Sequence, residues 1–116
     1  MLLPTTVHGR VSDIWRSYIS EYFLPKISGS LIFTKPYVYQ DRNAHNYLGD
    51  FQSEIPLYLE APGLVEYLQN RPHGGKELHW EILDLYVDLY ERNILQKEDV
   101  TLIIMWLKRT AAFLNV

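Results

Sequence analysis

A chain of 116 residues with 47% hydrophobic side chains can bury one small core and is too apolar to stay disordered. Its formal charge of −3 comes with no stripe of Lys and Arg, which argues against nucleic acid, and the absence of Cys excludes disulfides and thiolate metal sites. Aromatics reach 14%, including nine Tyr and three Trp, and rings with a polar tip suit half-buried walls, so further protein is expected to pack against the chain.

Met1-Leu2-Leu3 leads into Pro4 and Thr5 without the apolar run of a signal peptide. Leu2 to Val7 is short, apolar and β-branched, and predicts a buried strand. His8-Gly9-Arg10 reads as a turn, and Ser12 as the N-cap of a helix with Asp13 in its first turn. Ile14, Trp15, Tyr18, Ile19, Tyr22 and Phe23 share one face at helical spacing, and Pro25 ends the helix. Leu31-Ile32-Phe33 and Tyr37-Val38-Tyr39 predict two short strands, or one edge strand interrupted at Pro36. Gln40 to Ala44 is polar loop. A helix beginning near Ala44 carries Tyr47, Leu48 and Phe51 inward, and Pro56 and Pro62 break the next stretch into short pieces.

Arg71-Pro72-His73-Gly74-Gly75 is the clearest loop and the best internal boundary. Beyond it, Leu78, Ile82, Leu85, Tyr86 and Leu89 form the apolar stripe of an amphipathic helix. Gln96 to Asp99 separates that helix from a last one carrying Leu102, Ile103, Met105, Trp106 and Leu107 and reaching Phe113. The run from Leu102 to Leu107 is far shorter than the roughly 20 residues of a membrane span. The expected organisation is one partial domain over 1–116, with a motif-bearing α/β part at 1–70 and a helical hairpin at 76–116.

Two polar clusters stand at the edges of these apolar segments. In the first, Arg10 lies beside a helix N-terminus, where amides and a guanidinium can hold a phosphate or a sugar hydroxyl. Asp13 can serve as a general base or bind hydroxyls. It can equally be a capping residue or pair with Arg16 three positions on. The second cluster is Gln40-Asp41-Arg42-Asn43 with His45. A neutral imidazole there can ligate a divalent cation, with Asp41 or Asp50 adding carboxylates. One His does not make a metal site, and the same residues can simply be solvated or cap the next helix. The sequence has no Gly-x-Ser-x-Gly elbow and no glycine-rich phosphate loop.

The run from Leu3 to Tyr18 (LPTTVHGRVSDIWRSY) resembles the signature of the STELLO-type glycosyltransferases. A second run, Gln40 to Phe51 (QDRNAHNYLGDF), followed by Glu54-Ile55-Pro56-Leu57-Tyr58, strengthens the resemblance in the same order. The resemblance implies an α/β nucleotide-sugar transferase fold of the GT-A type, here mostly helical with a few short strands. It also implies a nucleotide-sugar donor such as a UDP-sugar, a glycan or protein acceptor, a divalent metal such as manganese, and a Golgi lumenal or membrane-associated setting. By position, Asp13 matches the acidic residue facing the acceptor, with Trp15 packed beside it. Arg10 faces the donor phosphates, Arg42 and Asn43 bind substrate, and His45 completes metal coordination.

One departure limits this reading. Transferases of this fold hold their metal with an Asp-x-Asp pair upstream of such motifs, and this sequence contains none. The chain is therefore expected to be the C-terminal part of such a domain, inactive by itself. The alternative is a non-catalytic interaction or regulatory module that keeps the shell of the fold.

Overall fold

A computed structural model describes the backbone of residues 1–114 and the side chains of residues 1–111. Five helices carry the described structure: α1 (Gly9–Phe23), α2 (Tyr47–Leu59), α3 (Ala61–Asn70), α4 (Leu78–Glu91) and α5 (Lys97–Leu114). A 3-10 turn over Leu24–Ile27 follows α1, with Pro25 in its first turn, where a missing N–H costs nothing. The expected short strands do not form: among the described residues there is no β-strand. The α/β character predicted for residues 1–70 is therefore replaced by helices joined by irregular chain.

The reason differs between the two predicted strand regions. Residues 2–7 satisfy their backbone with side chains instead of a neighbouring strand. The Thr5 and Thr6 amides donate to the Asp99 carboxylate at 2.6 and 3.3 Å, and both hydroxyls donate to it as well. The Leu2 carbonyl accepts from the Tyr86 hydroxyl at 3.1 Å, and the Pro4 carbonyl accepts from Ser12 Oγ. Residues 30–45 form no helix or strand and make no backbone–backbone hydrogen bond. A strand needs a second strand, and no described segment lies alongside to supply one.

Helix α1 begins earlier than the sequence suggests. His8, not Ser12, is its N-cap: His8 Nδ1 accepts from the Arg10 amide at 3.2 Å, and the His8 carbonyl accepts from Val11 and Ser12 at 2.8 and 3.1 Å. Gly9 is thus helical rather than a turn residue, and Ser12 is buried inside the helix. Asp13 falls one turn too late for the N-terminal dipole position. The second helix starts at Tyr47, capped by the Asn46 side chain accepting from the Gly49 amide at 3.1 Å. Pro56 sits inside α2 without ending it, at the loss of one i to i−4 hydrogen bond. The break comes instead at Glu60, and Pro62 lies in the first turn of α3.

The core forms where the stripes of α1, α3, α4 and α5 meet. Val11, Trp15, Ile19 and Phe23 of α1 join Leu64 and Leu68 of α3, the α4 stripe Ile82, Leu85, Tyr86 and Leu89, then Leu95 and Ile103. Each such side chain contributes about 1.5–3 kcal/mol on burial. The last two helices pack against each other across the short connection at 92–96, as a hairpin would. Two expectations fail there. Asp99 is not linker but sits buried in the first turn of α5, and Met105 faces out. The side chain of Phe113 lies outside the described residues.

Candidate functional site

The two polar clusters meet. Arg10, in the first turn of α1, lines a hollow of about 310 Å³ together with Gln40, Asp41, Arg42, Asn43 and His45. Helix α2 stands beside it and supplies the counter-charges. Arg10 Nη2 pairs with Asp50 Oδ1, and Nη1 pairs with Glu54 Oε1 at 3.1 Å. The other Asp50 oxygen, Oδ2, lies 3.5 Å from His45 Nδ1. A cation in the first turn of a helix opposes the macrodipole, and these two carboxylates offset that cost. All four side chains are between 26% and 38% exposed, so the hollow is open to water.

The structure thus brings together four of the six predicted site residues: Arg10, Arg42, Asn43 and His45. Asp13 is exposed on α1, three residues and just under one turn beyond Arg10, and does not line the hollow. Its Oδ1 accepts from the Ile14 amide at 2.9 Å, and no pair with Arg16 forms. Arg16 lines a separate hollow of about 360 Å³ with Met1, Ser17, Ser20, Glu21 and Leu24. Trp15 is 1% exposed and belongs to the core, where its indole N–H has no partner. Its position five residues after Arg10 turns it to the opposite face of α1.

Asp50 and Glu54 were the partners that sequence reading undervalued. They stand four apart on α2 and so share a face, a spacing that points to a common cation. As for a divalent metal, His45 and Asp50 would offer two ligands at most, and no group of three His, Cys, Asp or Glu side chains able to hold a metal ion occurs among the described residues. A magnesium-like ion commonly takes one or two carboxylates and completes its shell with phosphate oxygens and water. Of the two, the Asp50 carboxylate would fit that role, together with a diphosphate.

A second polar network lies at the loop after α3. Arg71 donates to Asp88 Oδ2 at 2.9 Å and to the Tyr22 and Tyr67 hydroxyls at 2.9 and 3.2 Å. Burial disfavours its charge, but these hydrogen bonds outweigh burial and hold the guanidinium more firmly protonated than usual. Nearby, Glu81 is 1% exposed and pairs with Lys26 at 2.5 Å. Burial pushes its carboxyl up, and the Lys26 ammonium with the Lys76 amide overcomes this, leaving it below the usual Glu range. Both groups are accounted for by anchoring the 71–77 loop, since Lys26 also donates to the Lys76 carbonyl at 2.6 Å.

No described helix is long and apolar enough to cross a membrane. No curated protein and no solved structure matches the chain. The model of the STELLO glycosyltransferases matches residues 10–113, which begins at Arg10 and includes both polar clusters. That match covers most of the sequence, and the chain belongs to the STELLO glycosyltransferase family.

Proposed function

We propose that this chain supplies the acceptor side and part of the donor-phosphate site of a nucleotide-sugar-dependent glycosyltransferase of the GT-A type. One observation carries the reading: Arg10 from the first motif and Arg42, Asn43 and His45 from the second line one open hollow, although they are far apart in sequence. Glycosyl transfer leaves a nucleoside diphosphate, and fixed cations aimed at that developing charge are the main electrostatic aid to such a reaction. Arg10 and Arg42 would receive the diphosphate, and Asn43 would bond a sugar or ribose hydroxyl. Asp13, exposed next to Arg10 on α1, would orient the acceptor hydroxyl and take its proton. A divalent cation such as manganese, held by His45 and Asp50 with the diphosphate oxygens, would neutralise the leaving group. Trp15 drops out as a direct contact and supports the site from beneath. A UDP-sugar donor, a glycan or protein acceptor and a Golgi location complete the proposal.

The sequence lacks an Asp-x-Asp pair, so turnover requires carboxylates from elsewhere. The chain should bind UDP with manganese and transfer nothing. Amide shifts confined to Arg10 and 40–46 in an NMR titration with UDP support the reading; no shift at millimolar UDP sinks it. In a longer family protein carrying both motifs, Asp13→Ala should abolish transfer while folding is kept.

A specific observation favours a second reading, a non-catalytic interaction module. Phe33, Tyr37 and Tyr39 are 86–92% exposed, and Tyr47, Leu48 and Leu59 are more than two-thirds exposed. Apolar surface of that kind marks a contact with further protein. Unchanged partner binding by a full-length Asp13→Ala protein, with no transfer by either form, would select it.

A further inference from the structure

The hollow is not electropositive as it stands. Its lining holds two guanidiniums, Arg10 and Arg42, and the Asp41 carboxylate, and Asp50 and Glu54 of α2 pair with Arg10. Both arms of Arg10 are engaged: Nη1 on Glu54 and Nη2 on Asp50. Asp50 is engaged at both oxygens, by Arg10 on one and towards His45 on the other. An anion reaching these two nitrogens of Arg10 therefore competes with two carboxylates that already accept charge-assisted hydrogen bonds from it.

We propose that Asp50 and Glu54 are an internal competitor for the anion site on Arg10 and lower its affinity. This rests on the proposed anion site in the hollow. An anion with one accepting oxygen replaces only one arm and leaves the other pair in place. A diphosphate presents oxygens for both arms and can draw the guanidinium away from α2. The two carboxylates thus weaken binding of an anion at Arg10. They also couple the site to α2, because Arg10 is a polar link between α1 and a helix that buries none of its own residues.

The test is calorimetric titration of inorganic pyrophosphate into the intact chain at low salt, with a chelator present to remove divalent cations. The Asp50→Asn/Glu54→Gln double variant should bind about tenfold more tightly than the parent chain. That gain corresponds to about 1.4 kcal/mol. Adding Arg10→Gln to the double variant should erase it. The Glu66→Gln/Glu91→Gln variant changes net charge equally on exposed faces of α3 and α4, and should leave the affinity unchanged. If the double variant loses its helical circular dichroism, Glu54→Gln alone carries the test, with a gain of about threefold expected. Equal affinity for parent and double variant overturns the competitor and leaves the anion site standing. A gain that survives Arg10→Gln, or that the control variant reproduces, overturns it as a general charge effect. No binding by any variant removes the competitor and the anion site together.

Discussion

Trp15 and Phe33 are both large aromatics in apolar segments, yet one is 1% exposed and the other 92% exposed. The contrast extends to their surroundings. Around Trp15, four helices and the N-terminal arm close on each other, and the buried carboxylates find partners: Asp99 takes Thr5 and Thr6, and Glu81 takes Lys26. Around Phe33, residues 30–45 form no regular structure, and α2 beside them has no buried residue. Hydrophobic character is similar in the two regions. What differs is whether a facing surface exists within the chain. The candidate site lies on the boundary, with Arg10 rooted in the packed region and Arg42, Asn43 and His45 on the exposed one.

The contrast is sharpest in single substitutions. Trp15→Ala empties a buried indole site and should cost about 3–5 kcal/mol in chemical denaturation. Phe33→Ser should move the same transition by less than about 0.5 kcal/mol while raising solubility. A comparable loss from both would mean that residues 30–45 are packed in solution, and the distinction between the regions would fall.

Next in size is Asp99→Ala, which strands the Thr5 and Thr6 amides. About 1–3 kcal/mol should be lost, and hydrogen exchange at residues 2–7 should quicken while α2 is unaffected. Unchanged protection at 2–7 would show that Asp99 is not their anchor.

Acid should act on the packed region first. The Glu81 carboxyl is lowered in the folded chain, so its contribution is present above the ordinary Glu range near pH 4.5 and disappears as pH falls through the lowered value. Tyr86 works in the opposite sense. Burial, helped by the Asp99 charge, raises its phenol, so stability is full below about pH 10 and falls as pH rises beyond it. Thermal melts from pH 2 to 6 should show an acid limb that Glu81→Gln flattens.

The smallest stability effect belongs to the boundary. Arg10 is exposed enough that its two ion pairs contribute about 0–1 kcal/mol, so Arg10→Ala should leave the melting temperature nearly unchanged and still abolish pyrophosphate binding. A large drop in stability would make Arg10 a structural clamp instead of a binding residue.

Much of the helical region was legible from spacing. The stripes of α1 and α4 are readable residue by residue, because an apolar face at a period of 3.6 is a local property of the chain. The turn at Arg71 to Gly75 and the stop at Pro25 are equally local. The strands expected at Leu2–Val7 and Leu31–Tyr39 do not form: strand propensity describes fitness for a sheet, and the first segment bonds to the Asp99 and Tyr86 side chains while the second meets no partner strand among the described residues. At the site, the family resemblance implied roles for Arg10, Arg42, Asn43 and His45, and the structure brings them to one hollow. The inward face of Trp15 could have been read from the α1 stripe, which already contained it.

By itself, the sequence determined the helical stripes, the main breaks, the lack of a membrane-length apolar run and, through its two motifs, the family. Only the tertiary structure decided which polar groups answer one another. His8 caps α1, Asp99 holds Thr5 and Thr6 from 94 and 93 positions away, and Arg10 reaches Asp50 and Glu54 across 40 and 44. Periodicity is fixed within a few turns of backbone. A charge meets a partner that far along the chain only after the apolar stripes have folded and placed the two surfaces together.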